Sequence, residues 1–283
     1  MIQLGLIGQG ISRSSAPRLH MFLGDMCGID VDYRRIDSNE VPDFDFVAAL
    51  HKCVAEGFRG VNVTHPFKER VRPLVNVADT AVSRLGAINT VTFDAACWQG
   101  NNTDFSGFAK AFRHRFGDVS PGRVLIMGAG GVGKAMAFAL GRLGATEVML
   151  YDAVAQQSNR LAAVLSTAGV KATAIHEEHL IDAMRSADGL INGTPVGMWP
   201  HPGNPFPEQA IGGQRWVFDA VYTPLETEFL KCAKTAGLEV MSGYDLFLFQ
   251  GFDAFTIFTG IEVNPKVAMA KFPPPDQNPP SGS

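Results

Sequence analysis

A glycine pattern near the middle of this 283-residue chain constrains its fold most strongly. The apolar run Arg123–Met127 has the character of a buried strand, and it leads directly into Gly128-x-Gly130-x-x-Gly133 and an apolar helix that ends at Leu143. A strand, a glycine-rich turn and a helix in this order are typical of a Rossmann fold. Gly128 would permit the tight turn, Gly130 would let backbone amides approach a pyrophosphate, and Gly133 would let helix and strand pack closely. The partial positive charge of the helix N-terminus completes the prediction of a dinucleotide site.

Asp152 defines which dinucleotide this site should prefer. It ends the next predicted strand, at residues 146–152, where a carboxylate accepts hydrogen bonds from both ribose hydroxyls of NAD and repels the 2′-phosphate of NADP. No Arg or Lys lies between Asp152 and Ser158. The sequence therefore predicts NAD, preferred over NADP, with capping of the next helix as the alternative role of Asp152. The predicted contacts are Gly128, Ala129, Gly130, Gly131, Val132, Gly133 and Asp152.

Short apolar runs alternate with helical stretches in the first hundred residues as well. Strands are predicted at 3–8, 31–36, 58–63, 87–93, 189–192 and 216–219, and helices at 15–26, 43–55 and 245–259. This alternation indicates an α/β protein with a parallel sheet in each of two domains. We expect a substrate-binding and catalytic domain at 1–107 and 244–272, and a Rossmann NAD-binding domain at 108–243. The Pro-rich stretch 273–283 is predicted to be a disordered tail.

Polar residues gather at two loop-like places in the first domain, around 60–68 and 100–104. Asn62 and Thr64 offer neutral hydrogen bonds, whereas Lys68 and Asp104 offer a proton-transfer pair. Such a set suits a site that binds a small polyhydroxylated molecule and moves a proton on it. Burial would lower the pKa of a lysine from ~10.4 and a neighbouring carboxylate would raise it, so we interpret the pair as a coupled acid/base unit. Lys68 is the first choice for proton transfer, and a structural ion pair is the alternative.

Composition and charge disfavour several other classes of protein. A net charge of −4 and a pI near 6.0 argue against a nucleic-acid partner, and no apolar run reaches the ~18 residues of a membrane helix. Four scattered cysteines and a start without a basic leader favour a cytoplasmic location. His176 and His179 lack a third anchor, so no metal site is predicted. A monomer or homodimer is expected.

Eight stretches of the chain, in order, resemble one known family. They are 12–20, 62–68, 86–90, 102–104, 128–134, 192–198, 219–224 and Gln250. Across residues 3 to about 262 the chain is similar to the shikimate/quinate dehydrogenases. The NAD-using branch is the nearest, because Asp152 stands where NADP-using members carry an Asn-Arg-Thr phosphate clamp. The resemblance implies interconversion of shikimate with 3-dehydroshikimate, of quinate with 3-dehydroquinate, or both, by hydride transfer.

The resemblance also implies roles for individual residues. Lys68 and Asp104 would be the catalytic pair. Substrate contacts would come from Ser14 at the carboxylate, Tyr222 near the carboxylate, and Thr64, Asn89 and Gln250 at the ring hydroxyls. Further cofactor contacts would come from Thr194, Val221 and Gly243.

Two departures from the family pattern concern the substrate. Ala16 replaces a second Ser or Thr, and loss of its hydrogen bond to a carboxylate would cost about 1.5–3 kcal/mol if nothing replaces it. The stretch 243–250 lacks the usual Met-Leu pair before Gln250. Both favour, as an alternative, the same chemistry on a related ring acid such as an amino-substituted shikimate. A non-catalytic NAD-binding regulator is a further alternative, against which the presence of Lys68 and Asp104 argues.

Overall fold

The computed structural model describes residues 1–94 and 97–274, which form two compact units. The first comprises residues 1–107 and 248–274, and the second comprises residues 108–247. Each boundary falls inside a long helix, Thr103–Phe116 or Gly243–Thr259. The expected boundary at 243/244 lies at the start of the second of these helices, four residues before the observed division. Most of the predicted tail, from residue 275 onwards, lies outside the described residues.

The first unit contains a five-stranded sheet whose strand order is β2-β1-β3-β4-β5. These strands are β1 (Ile2–Gly8), β2 (Val31–Asp37), β3 (Gly60–Val63), β4 (Thr90–Phe93) and β5 (Trp98–Asn101). β1 pairs in parallel with β2 and β3, which confirms the parallel core of the expected α/β fold. β4 pairs antiparallel with both β3 and β5. The sequence does not predict β5, and its short connection to β4 requires antiparallel pairing.

Capping side chains set the limits of the helices around this sheet. The helices are α1 (Ala16–Cys27), α2 (Phe46–Ala55), α3 (Thr80–Leu85), α4 (Thr103–Phe116), α9 (Gly243–Thr259) and α10 (Pro265–Lys271). Asp45 accepts hydrogen bonds from the backbone N–H groups of Val47 and Ala48, so α2 begins three residues later than its apolar pattern predicts. α1 ends at Gly28, which has the left-handed conformation (φ 69°) that favours glycine.

The second unit is a six-stranded, wholly parallel sheet with the order β11-β10-β9-β6-β7-β8. Its strands are β6 (Arg123–Met127), β7 (Glu147–Tyr151), β8 (Ala172–Ala174), β9 (Gly189–Asn192), β10 (Trp216–Asp219) and β11 (Glu239–Ser242). Its helices include α5 (Gly131–Arg142), α6 (Ala155–Thr167), α7 (Leu180–Ser186) and α8 (Glu228–Thr235). Counted from β6, this is the Rossmann order, so the crevice between the carboxyl ends of β6 and β9 is the expected place for a ligand.

Each unit has its own apolar core. In the first, Leu4, Tyr33 and Phe258 belong to one buried cluster, and Phe252 and Phe255 of α9 are also buried. Burial of a phenylalanine side chain contributes about 1.5–3 kcal/mol, so these side chains pack as core and hold the part of α9 from Leu248 onwards in the first unit. Among the described helices, none combines the length and apolar character needed to cross a membrane.

Candidate active site

Lys68 and Asp104 lie in contact although they come from different elements of the first unit. The Lys68 Nζ to Asp104 Oδ2 distance is 2.6 Å, and the two side chains are 23% and 15% exposed. Lys68 lies in the turn that follows β3, and Asp104 lies in the first turn of α4. A partly buried ammonium–carboxylate pair at this distance is a strong, charge-assisted hydrogen bond that remains open to a ligand.

The turn that carries Lys68 is anchored at two adjacent residues, Phe67 and Lys68. The Phe67 side chain is buried and stacks on Phe46 with ring centroids 4.6 Å apart. The carbonyl of Lys68 accepts a hydrogen bond from the N–H of Ile88 at 2.8 Å. Because the backbone is held at Phe67 and at Lys68 itself, the lysine side chain starts from a fixed point.

A buried amide network fixes the N-terminus of α4 and therefore Asp104. The Asn89 Oδ1 atom accepts hydrogen bonds from the N–H of Thr103 (2.7 Å) and from the hydroxyls of Thr103 and Thr90 (3.2 and 3.0 Å). Asn102 Oδ1 accepts from the N–H of Phe105. Asn89 is 4% exposed, and none of the described residues accepts from its amide nitrogen. Its oxygen is thus committed to the fold while its nitrogen remains available.

The loop after β1, which carries Ser14, is held by two charged side chains at the end of β2. The Asp37 carboxylate accepts from the N–H groups of Gly10 (2.9 Å) and Ile11 (2.7 Å). Backbone N–H groups, that of Asn39 foremost, lower the pKa of this carboxyl. The Arg35 Nη1 atom donates to the carbonyl oxygens of Ser12 and Ser14. Neither Arg35 nor Asp37 is predicted from sequence as part of the site.

Thr64 and Gln250 lie on two further elements of the first unit. The N–H of Gln9 donates to the carbonyl of His65 (2.9 Å), and Thr64 packs on Gly8, so the loops after β1 and β3 adjoin. A Cβ on Gly107 of α4 would lie 2.6 Å from the backbone nitrogen of Gln250 on α9. Five of the predicted site residues therefore lie in the loops at one end of the first sheet and at the start of α4. They are Ser14, Thr64, Lys68, Asn89 and Asp104, with Gln250 on the helix packed against α4.

The glycine turn of the second unit has the predicted geometry. Gly128 has φ 96°, a conformation that strongly favours glycine. A Cβ on Gly133 would lie 1.9 Å from the carbonyl oxygen of Gly128, so no side chain fits there. Gly130 and Gly131, at the start of α5, face open space into which any added Cβ would project without contact. The turn therefore offers backbone amides at a helix N-terminus to a phosphate.

Asp152 closes the other side of the same crevice. Its Oδ2 accepts from the N–H of Ala129 at 2.8 Å, and its Oδ1 accepts from the N–H of Val154 at 2.8 Å. A cavity of about 520 Å³ opens here, and Gly128, Gly130, Asp152 and Thr194 all line it. The open space at the glycines and the carboxylate bonded to the same turn fit a dinucleotide. Lining residues that the sequence does not single out are Tyr151, Gln157, Asn204 and Pro205.

Val221, Gly243 and Tyr222 lie in the second unit but do not line this cavity. A Cβ on Gly243 would lie 2.3 Å from the carbonyl of Ala220, so the end of β10 and the start of α9 touch. Tyr222 stacks on Phe247 with centroids 5.5 Å apart, and burial raises the pKa of its hydroxyl. Within residues 1–94 and 97–274, no group of three His, Cys, Asp or Glu side chains could hold a metal ion.

Comparison with known proteins identifies two family models along the chain. Residues 6–91 match the shikimate dehydrogenase substrate binding domain, and residues 105–202 match the C-terminal domain of alanine dehydrogenase/PNT. A relative from Corynebacterium glutamicum (strain R), named quinate/shikimate dehydrogenase (NAD⁺), is 38% identical over 92% of this chain and 94% of its own. A relative from Moorella thermoacetica, named shikimate dehydrogenase (NADP⁺), is 36% identical over 92% and 88%.

Solved structures give the same result. Quinate dehydrogenase from Corynebacterium glutamicum in complex with NAD superposes with a TM-score of 0.90 at 36% identity, covering 95% of this chain and 97% of that one. Shikimate 5-dehydrogenase from Thermus thermophilus in complex with NADP(H) and shikimate gives 0.84 at 31% identity, covering 95% and 98%. Identity above 30% over nine-tenths of the chain, together with the two-unit α/β fold, shows that this chain belongs to the quinate/shikimate dehydrogenase family of NAD(P)-dependent oxidoreductases.

Proposed function

We propose that this chain is an NAD-dependent dehydrogenase that interconverts shikimate with 3-dehydroshikimate, quinate with 3-dehydroquinate, or both. The observation that carries the proposal is the 2.6 Å contact between Lys68 and Asp104 in the first unit, where Asn89 holds the N-terminus of the helix that carries Asp104. The names of the relatives from Corynebacterium glutamicum and Moorella thermoacetica support the choice of substrates.

Oxidation of a secondary alcohol removes a hydride from carbon and a proton from oxygen, and the two leave in different directions. The bound nicotinamide supplies the hydride acceptor. Lys68 and Asp104 take the hydroxyl proton as one unit. The Lys68 ammonium first passes a proton to Asp104 Oδ2, and the neutral amine at Nζ, oriented by Asp104, then accepts the hydroxyl proton. In the reverse direction the same pair returns the proton to the carbonyl oxygen. The partial burial of both groups limits competition from water.

Neutral donors and acceptors complete the proposed binding site. The Ser14 hydroxyl would bind the substrate carboxylate, and Tyr222 would lie near that end. Thr64, Asn89 and Gln250 would hydrogen-bond the ring hydroxyls. For Asn89 the available group is its amide nitrogen, a donor, because its oxygen is already bonded to α4.

For the cofactor, we propose contacts from the glycine turn, Asp152, Thr194, Val221 and Gly243. NAD is preferred over NADP because the Asp152 carboxylate lines the cavity at the place where a 2′-phosphate would add negative charge. The next side chains, Ala153 to Gln157, provide no cation to offset it.

Ala16 favours a second candidate, the same reaction on a related ring acid such as an amino-substituted shikimate. The N–H of Ala16 donates to the Ser14 hydroxyl oxygen (3.3 Å), and its methyl side chain offers no hydrogen bond of its own. A cytoplasmic location, a monomeric or homodimeric state, and the absence of nucleic-acid and membrane partners all stay predictions.

The test is the initial rate of NADH or NADPH formation at 340 nm with shikimate and quinate, each with NAD and with NADP. We expect turnover of at least one acid with NAD, and a higher kcat/KM for NAD than for NADP. Asp152→Asn should raise the NADP/NAD ratio of kcat/KM by about tenfold, which corresponds to about 1.4 kcal/mol.

Asp182→Asn, which removes one exposed carboxylate from α7 of the same unit, is the matched control and should leave that ratio unchanged. Equal use of NAD and NADP by the unaltered protein would contradict the cofactor assignment. No turnover of either acid alongside proven NAD binding would favour the related ring acid instead.

A further inference from the structure

Asp219 is a fully buried carboxylate at the carboxyl end of β10, where neither the cofactor nor the substrate assignment uses it. Its side chain is 0% exposed. Its Oδ1 accepts from the Asn192 amide nitrogen at 2.8 Å and from the N–H of Val221 at 3.0 Å. Its Oδ2 accepts from the Thr227 hydroxyl at 2.6 Å. Three donors, one from the end of β9 and two from the segment between β10 and α8, therefore converge on one side chain.

The first donor connects Asp219 to the cofactor cavity. Asn192 ends β9, and its own Oδ1 accepts from the N–H (3.0 Å) and the hydroxyl (2.6 Å) of Thr194. Its amide nitrogen also donates to the carbonyl of Val196 at 2.9 Å. Thr194 and Val196 both line the cavity. Only one side chain, that of Asn192, thus separates the Asp219 carboxylate from the cavity wall.

The other two donors fix the segment that follows β10. The bond from the Val221 N–H holds the start of this segment, which continues into Tyr222. Thr227 holds its end, because the Thr227 hydroxyl also caps α8 by accepting from the N–H of Leu230 at 3.2 Å. Asp219 therefore connects the loop after β9 with both ends of the segment between β10 and α8.

The network depends on acceptor oxygens, which the carboxylate supplies at neutral pH. Burial raises the pKa of Asp219 from 3.8 to about 6, while the three hydrogen bonds act in the opposite direction. Hydrogen bonds to an ionised acceptor are about twice as strong as those between neutral groups. Burial of a charged group costs free energy. A carboxylate at this position therefore indicates a role that an apolar side chain of the same size could not fill, namely the binding of several hydrogen-bond donors.

We propose that Asp219 is a positioning residue that ties the loop after β9 to the segment after β10 and so fixes the cofactor-contacting residues Thr194 and Val221. The inference rests on the proposed cofactor contacts of these two residues. Asp219 itself does not line the cavity.

The experiment compares two buried polar side chains of the same unit. Gln214 is 4% exposed and bonds to Gly212, Met184 and Ala210, away from the cavity. Asp219→Ala and Gln214→Ala should both lower the free energy of unfolding. Only Asp219→Ala should weaken NAD binding, by about tenfold, because it releases Thr194 and Val221 and so weakens a cofactor hydrogen bond. The readouts are the Kd for NAD by calorimetry and the separate KM values for NAD and for the ring acid.

Asp219→Asn is the rescue variant, because its amide oxygen can accept from both Asn192 and Val221. It should bind NAD within about threefold of the unaltered protein, and in Asp219→Ala the KM for the ring acid should change less than the KM for NAD. If Asp219→Ala does not fold, Asp219→Ser, whose hydroxyl oxygen is one bond short of the Oδ1 position, takes its place with the same expected direction.

Equal NAD affinity in the Asp219 and Gln214 variants would overturn the positioning role. Failure of Asp219→Asn to rescue binding would also overturn it, since the role requires only the acceptor at Oδ1. An unaltered protein that fails to bind NAD would instead refute the cofactor assignment, and that measurement comes before any variant is compared.

Discussion

Lys68 and Asp104 form a 2.6 Å contact although 36 residues separate them in the chain. Each is placed by its neighbours: Phe67 and Ile88 hold the backbone of the lysine, and the side-chain oxygen of Asn89 holds the helix that carries the aspartate. At the scale of single residues, the position of the pair thus depends on the neighbouring residues that hold its backbone in place.

Substitutions at the pair should affect the chemical step and leave the fold intact. Lys68→Met and Asp104→Asn are each expected to lower kcat by about 100-fold or more, the usual contribution of general acid–base catalysis. The two effects should not be additive, because the groups act as one unit. The measurement is steady-state oxidation of shikimate or quinate, with circular dichroism to verify the fold.

The matched control for the lysine is Lys52→Met. The Lys52 side chain is 77% exposed and makes only a 3.9 Å ion pair with Glu56, so kcat should not change. A Lys68 or Asp104 variant with near-normal kcat would contradict the proposed proton transfer and leave the pair as a structural contact.

Sequence motifs can name single residues, but they do not reveal a residue whose role depends on long-range strand pairing. The two members of the Lys68–Asp104 contact are predicted from motifs. Asp219 ends β10, much as Asp152 directly follows β7, but the role of Asp219 depends on Asn192, which is opposite it because β9 and β10 pair in one register. Arg35 depends in the same way on the alignment of β2 with β1.

At the scale of elements, alternation of side chains along β2 separates two adjacent arginines. Arg34 forms ion pairs with Asp32 and Glu56. Arg35 points to the other face and donates to the carbonyls of Ser12 and Ser14. The loop after β1 is therefore held by the strand next to it, and this fixes the hydroxyl proposed to bind the substrate carboxylate.

Removal of the Arg35 guanidinium should loosen this loop. Arg35→Met is expected to raise the KM for the ring acid by about two- to tenfold, because a typical hydrogen bond contributes about 0.5–1.5 kcal/mol, while the Kd for NAD stays constant. Arg34→Met, on the opposite face of the same strand, is the control and should change neither constant. An equal rise in both variants would show a general effect of charge on substrate attraction.

Elements with a strong periodic signal are predicted well, and short elements at sheet edges are not. Strand, glycine turn and helix at 123–142 follow from the sequence, and all strands of the second sheet pair in parallel as expected. β5, by contrast, has the sequence Trp-Gln-Gly-Asn, which lacks an apolar alternation. It forms because β4 and the backbone of Asn76 offer partners on both of its sides.

At the scale of the whole molecule, the buried Asp219 connects the cofactor site to stability. Its pKa in the folded protein is about 6, against 3.8 for an ordinary aspartate, so the native state keeps a proton that the unfolded chain releases between these values. Stability attributable to this group is therefore present below pH 4 and is lost as the pH rises to 6. A pKa difference of this size corresponds to about 3 kcal/mol.

Asp219→Asn should remove this pH-dependent contribution. Relative to the unaltered protein, the variant is expected to gain up to about 3 kcal/mol in its free energy of unfolding as the pH rises from about 4 to about 7. Urea unfolding of both proteins across this range measures the difference, and other titrating groups cancel because both proteins share them. A difference that stays constant with pH would show that Asp219 titrates normally.

The glycine turn also restricts how this sequence can change over evolutionary time. Gly128 is fixed by its backbone dihedral angle, and Gly133 is fixed by a carbonyl oxygen 1.9 Å from the position of a side chain. Because the two causes differ, a substitution at one position cannot compensate for a substitution at the other. A lineage that loses either glycine must rebuild the turn itself, so drift is expected to bypass both positions while their neighbours Ala129 and Val132 exchange with other residues.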